Sequence, residues 1–301
     1  MRWTGLAAAL VCLSLVGCKP QQPIVPENLL PDPIANDQPL PSYGDLIRRY
    51  NQTVEPLGRV WAKADVDMVW LNKDGKRKHE SGDGRLIYVR PGKTVLEIEE
   101  FGKGFWAGSD GERYWFFERQ DNSAVYVGRF DLVDAPGEPR GPGALGLPLP
   151  VNPKDMPYIL GFKRIDPAAV PDAPAVERLA GHYLIEPPGL SLRLLLDPET
   201  ARPVRVDLLD ELGRSEVRCL LSGATEVKFE GVPKDNQPRI TNTVDVYVVG
   251  TEARMTLNLS GATSDEEGRK IRDQHFDFEK LMKALKPDVT IDLDVPAMPA
   301  P

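Results

Sequence analysis

Cysteine and histidine are both scarce in this chain, three of each among 301 residues. The histidines, His79, His182 and His275, are too scattered to suggest a metal site; His79 and His275 read as solvated and His182 as structural. No disulfide framework can be drawn, so burial must stabilise the fold, and the unpaired Cys219, inside an apolar strand-like run, reads as a small core residue. A basic surplus is also missing: 37 Lys and Arg face 45 Asp and Glu, a net charge of −8, which argues against nucleic acid or lipid headgroups as the main partner. No Gly-rich phosphate loop is present. Ala107-Gly108-Ser109-Asp110-Gly111 only approaches a nucleophile elbow, because its first glycine is absent and its setting is a hairpin. Asp65 and Asp67 share a strand face and read as solvated acids, and Asp83 lacks the surrounding oxygen ligands that calcium needs. The residues offer no catalytic constellation, so no enzyme is expected and no cofactor is implied. Nor does any stretch reach eighteen consecutive apolar residues.

What the chain does have is a pronounced N-terminus. Arg2 precedes an apolar run over residues 6–16, interrupted by Cys12 and Ser14. Such a run is too short for a permanent membrane span and reads as a secretory signal. It ends in Leu15-Val16-Gly17-Cys18, which resembles the lipobox of bacterial lipoproteins. The resemblance implies cleavage before Cys18, a diacylglyceryl group on its thiol, and a membrane as partner through that group; two or more buried chains hold a protein on a bilayer stably. The alternative is an ordinary signal peptide in which Cys18 is incidental. Lys19 is not the aspartate that marks inner-membrane retention in some bacteria.

The expected organisation is a signal peptide at 1–17, the lipidated cysteine and a tether at 18–41, one globular domain at 42–294, and a disordered tail at 295–301. Pro20, Pro23, Pro26, Pro31, Pro33, Pro39 and Pro41 make the tether an extended spacer. Ser42 with Asp45 resembles a capping box opening a helix that carries Leu46, Ile47, Tyr50 and Val54. Residues 60–71 alternate as a long half-buried strand. Asp74-Gly75, Asp83-Gly84, Pro91-Gly92 and Asp110-Gly111 then read as turns between strands. A Pro/Gly-rich insert at 134–161 interrupts the pattern and ends in a short apolar helix. Strands resume at 182–186, 191–197, 203–210, 216–221, 225–229, 239–249 and 252–260, and a helix at 277–285 precedes a tail at 287–294. The fold class is mainly β with flanking helices, an antiparallel sheet curled into a half-open barrel with a helical lid.

This order resembles the LolA/LolB-like superfamily. The matching stretches are the capped helix, the strand at 60–71, residues 82–91, Phe105 to Trp115 around Ser109-Asp110-Gly111, His182-Tyr183-Leu184-Ile185, residues 192–205 and the closing helix. The resemblance covers residues 45–285 and implies an incomplete barrel with a lid over a hydrophobic cavity that binds acyl chains of lipids or lipoproteins. For a lipid-anchored member it implies a place at the periplasmic face of the outer membrane. The chain departs from the family in its tether and its insert, within which residues 142–150 are the nearest candidate for a protruding membrane-insertion loop. Trp70, Trp106, Trp115 and Phe117, with Ile159, Leu160 and Phe162 from a lid around 153–162, are the candidate cavity lining. Against this stands a barrel filled by its own side chains, which docks envelope proteins or sugars through an acidic surface.

Overall fold

A computed structural model describes residues 29–72, 74–100, 103–119, 123–130, 151–166, 174–265, 268 and 270–294. The signal peptide, Cys18, the loop at 142–150 and the tail at 295–301 lie outside the described residues. Helix α1 (Tyr43–Val54) begins as its capping signal predicts: the Asp45 amide donates to Ser42 Oγ at 3.1 Å, and that hydroxyl donates to the Asp45 carboxylate at 2.7 Å. Strands β1 (Arg59–Leu71), β2 (Arg77–Val89), β3 (Lys93–Glu100), β4 (Lys103–Ser109), β5 (Arg113–Arg119) and β6 (Ala124–Arg129) follow as an antiparallel meander. A one-turn helix, α2 (Met156–Ile159), lies in the insert. A second series then comprises β7 (Glu177–Leu179), β8 (His182–Ile185), β9 (Leu192–Leu196), β10 (Pro203–Leu209), β11 (Ser215–Ser222), a separate pair β12 (Thr225–Glu226) and β13 (Arg239–Ile240), then β14 (Thr243–Val248) and β15 (Arg254–Thr263). Helix α3 (Phe278–Leu285) and β16 (Val289–Asp292) finish the chain.

The two series join where β15 pairs with β1, giving one 14-stranded sheet whose ends are β16 and β7. Those ends are not bonded to each other, so the sheet is curled but not closed. The curl follows from the core: Tyr114 and Phe116 from β5, near one end, share a single buried cluster with Tyr183 and Ile185 from β8, near the other. A flat sheet cannot bring such strands together. Helices α1 and α2 fill this concave side, and α3 covers the opposite face of β2 to β6 with a second cluster.

Four local readings need correction. Asp83-Gly84 is not a turn: β2 runs straight through it, and His79 stands on a strand instead of in a loop. Gly84 is there for close approach, since a Cβ would lie 1.8 Å from the Glu97 carbonyl oxygen. The stretch 239–249 is two strands, β13 and β14, in different sheets. Residues 289–292, read as tail, form β16, which pairs parallel to β6 and is fastened by Ser123 donating to Asp288 at 2.9 Å. Finally, residues 29–38 of the supposed free spacer lie against the β7–β8 turn. Ile34 donates to Ala180 at 3.1 Å, Asn36 to the Gly181 carbonyl at 2.7 Å, and Arg178 to the Gln38 carbonyl. Gly181 permits this, because a Cβ there would lie 2.0 Å from the Ile34 carbonyl oxygen.

Candidate functional site

The seven candidate lining residues divide between the two faces of the sheet. Trp70, Ile159, Leu160 and Phe162 belong to the concave cluster. Trp115 and Phe117 are fully buried in the other one, beneath α3, with Trp106 against them. Strand alternation is the cause: Tyr114 and Phe116 point inward, so Trp115 and Phe117 point outward. There Trp115 meets Phe278 of α3 at 5.6 Å between ring centroids, and Trp106 meets Phe117 at 5.3 Å. These three rings cement a helix to the back of the sheet and do not line the space under the insert.

That space is governed by residues 151–165. Val151, Met156, Ile159, Leu160, Phe162 and Ile165 are each no more than 3% exposed. Phe162 stacks on Tyr88 at 5.2 Å. Among the described residues the insert's backbone-to-backbone hydrogen bonds run within itself, for example Leu160 to the Met156 carbonyl at 2.9 Å and Phe162 to that of Pro157 at 2.8 Å, and the Tyr88 hydroxyl of β2 donates to the Phe162 carbonyl at 3.4 Å. It is therefore held to the barrel by side chains, and at one end by a specific fastening. The Asn51 amide donates to the Ile165 carbonyl at 2.7 Å and accepts from its N–H at 3.0 Å, while the Tyr50 hydroxyl donates to the Lys163 carbonyl at 2.6 Å. Burial pushes the Tyr50 hydroxyl well above its ordinary pKa and draws the Lys163 amine, which donates to the Pro91 carbonyl at 3.0 Å, below its own. The seam between insert and barrel holds a cavity of only about 20 Å³, walled by Leu57, Leu160, Phe162, Pro203 and Ile240. Arg202 and Arg239 also border it. Sequence reasoning placed Tyr50 on the apolar face of the first helix but missed its bond to the insert, the part of Asn51 and these arginines; a polar Asn51 beside Tyr50 was the available signal.

A larger cavity, about 530 Å³, opens on the outer face of β1, β2, β3 and β15 among Asp65, Asp67, Ser81, Asp83, Glu99 and Asn258. The acids that read as solvated thus face a cleft. Asp65 lies directly across from Asp83, and a hydrogen bond between the two carboxyls, then burial and the Asp83 charge, hold the Asp65 pKa above its usual range. His79 pairs with Asp67 at 2.6 Å. Among the described residues no group of three or more His, Cys, Asp or Glu is placed to hold a metal ion, and no helix is long and apolar enough to cross a membrane.

Also on the outer face, Asp207 is wholly buried between Arg205 and Arg218. Arg205 grips it through Nε at 3.0 Å and Nη2 at 2.8 Å, and Arg218 through Nε at 3.0 Å. Ser215 adds a hydroxyl bond at 3.0 Å. This is a fastening of β10 to β11, with Arg205 reaching on to the Leu29 carbonyl at 3.2 Å. Cys219, on the inward side of β11, is buried as its surroundings in sequence suggest, and burial pushes its thiol far up. His182 is buried, with Nε2 3.3 Å from the Asp32 carbonyl, while His275 is half-buried and accepts from the Arg272 amide at 3.2 Å.

No protein-family model and no curated protein matches this chain. Among solved structures, it is similar to a DUF1329 family protein from Desulfovibrio piger, with 14% identity, TM-score 0.49, and coverage of 79% of this chain and 97% of that one. It is similar also to a putative outer membrane lipoprotein-sorting protein domain from Vibrio parahaemolyticus, at 12% identity and TM-score 0.46 over 81% of this chain and 97% of that one. A LolA superfamily protein from Nitrosomonas europaea aligns at 9% identity and TM-score 0.43, over 79% and 98% of the two chains. The mainly β architecture expected from the sequence, a large curled sheet left open, is the one that the structure has.

Proposed function

We propose that this chain is a cell-envelope protein, held to a membrane through lipid on Cys18, whose half-open barrel takes up acyl chains on its concave face when the insert at 151–165 moves aside. The observation that carries the reading is the manner of attachment of that insert. It covers the open apolar side with six buried apolar residues, shares no strand ladder with the sheet, and is fastened to α1 at residues 163–165. A cover of this kind can leave without unpairing a strand. The energetics are those of exchange: each methylene withdrawn from water contributes about 0.8 kcal/mol, so a ten-carbon chain offers about 8 kcal/mol against the contacts given up by Leu160, Phe162 and their neighbours. The packing of Ile159, Leu160 and Phe162 of the insert in one concave cluster with Trp70 supports this; periplasmic exposure and the outer membrane fit a lipid-anchored chain of this fold.

The test is lipid extraction of the protein purified from cells, followed by native mass spectrometry. Acyl lipid is expected with the wild-type chain and not with Leu160→Asp, with both folded by circular dichroism. Equal lipid on both would sink the reading. A second reading rests on the small seam cavity and the 530 Å³ outer cleft. In it the barrel is a filled scaffold, and the cleft docks envelope partners; a lipid-free wild-type protein that ignores added fatty acid is its signature.

A further inference from the structure

We infer that the seam beside the insert reads the headgroup of its cargo, and that the cargo is an anionic amphiphile: one alkyl tail or more carrying a carboxylate or phosphate, held by Arg202 and Arg239. The inference rests on the acyl-binding reading above and adds to it the class of ligand.

Two guanidiniums border one small seam whose other lining is mostly apolar, with Thr53 and Thr241 added. Arg239 is exposed and has an acid at 3.6 Å, Glu226, on the neighbouring strand β12. Arg202 is half-buried, and among the described residues its side chain has neither a hydrogen-bond acceptor nor an ion-pair partner; its backbone alone is bonded, to Asp197 and Thr200. The nearby Asp197 carboxylate is already spent on the amides of Glu199 and Thr200 and on the Thr200 hydroxyl. Burial first, and the Arg239 charge second, hold the Arg202 pKa below its ordinary value. A partly desolvated cation next to a like charge is costly, and the arrangement is relieved by one anion placed between the two.

The rest of the lining decides what kind of anion. Thr53 and Thr241 are its polar members beside the arginines, but Leu57, Leu160, Phe162, Pro203 and Ile240 favour an alkyl group over a small hydrophilic anion, and a 20 Å³ void has room for about one water. A tail entering there would displace Leu160 and Phe162 from the concave cluster, the residues whose departure opens the barrel. Head and tail are thus served by adjoining parts of one seam. The chain as a whole is acidic, net −8, so two guanidiniums at one seam stand out against its average charge.

The experiment uses residues 18–301 carrying Cys18→Ser, the chain expected after signal cleavage, so that neither the signal run nor an anchor competes. The probe is 11-(dansylamino)undecanoic acid, and the competitors are dodecanoate, dodecyl phosphate, dodecan-1-ol and inorganic phosphate. Dodecanoate and dodecyl phosphate are expected to displace the probe at concentrations about tenfold or more below dodecan-1-ol, with inorganic phosphate ineffective. Arg202→Gln should erase the gap without altering the alcohol, and Arg202→Lys should restore part of it; an unchanged urea midpoint shows that the variants fold. Equal competition by acid and alcohol overturns headgroup reading and leaves acyl binding standing. Displacement by inorganic phosphate as strong as by dodecyl phosphate overturns the tail's part in it. Failure of every amphiphile, and of the probe itself, overturns both readings together.

Discussion

At the scale of single residues, stability hangs on a few buried or crowded charges. Asp207 compensates two largely buried guanidiniums, so Asp207→Asn leaves them unbalanced and should cost about 3–5 kcal/mol in urea unfolding. Asp65 behaves in the opposite sense. Its pKa is raised in the folded state by the hydrogen bond with Asp83, so whatever stability the shared proton gives is present at acid pH and lost as pH rises through the folded value. Asp65→Asn should therefore raise the urea midpoint at pH 7 and leave it unchanged near pH 3; equal midpoint shifts at both values would contradict the shared proton.

Among elements, β5 shows what a sequence can and cannot disclose. Four consecutive aromatics, Tyr114 to Phe117, reveal that both faces of the strand are apolar and that Trp115 and Phe117 share one of them. Alternation cannot reveal which face is concave, because that depends on the curl of the whole sheet, a sum over strands far apart in sequence. Hence Ile159, Leu160 and Phe162 of the insert are buried in the concave cluster with Trp70, while Trp106, Trp115 and Phe117 sit under α3. The same limit applied to Asp83-Gly84, whose turn chemistry is indistinguishable from a mid-strand glycine required by the Glu97 carbonyl of the next strand, and to β16, whose prolines nearby disguise a four-residue parallel strand. Local signals such as the Ser42–Asp45 cap and the Asp110-Gly111 hairpin were legible because their partners lie within three residues. The division of faces makes a prediction: Trp115→Ala should cost about 3–5 kcal/mol by loosening α3, yet leave the affinity for the dansyl fatty acid unchanged in the folded fraction.

For the whole molecule, the sheet's two series of strands meet at β1 and β15, and everything placed on the concave side, α1 and the insert, comes from connections that could be altered without touching the ladder. The docked segment 29–38 has a further effect. With lipid on Cys18, only residues 19–28 remain between bilayer and the Leu29 contact with Arg205, about 30 Å if fully extended. Under the proposed lipidation of Cys18 the anchor would be a leash of about ten residues, ending at the β7–β8 end of the domain. Freeing residues 29–38, as with Gly181→Val, would then double its length, and a fluorophore at position 177 should lose energy transfer to a labelled bilayer. A chain so anchored would stand beside its membrane with one end turned toward the lipid, instead of swinging freely on a long tether.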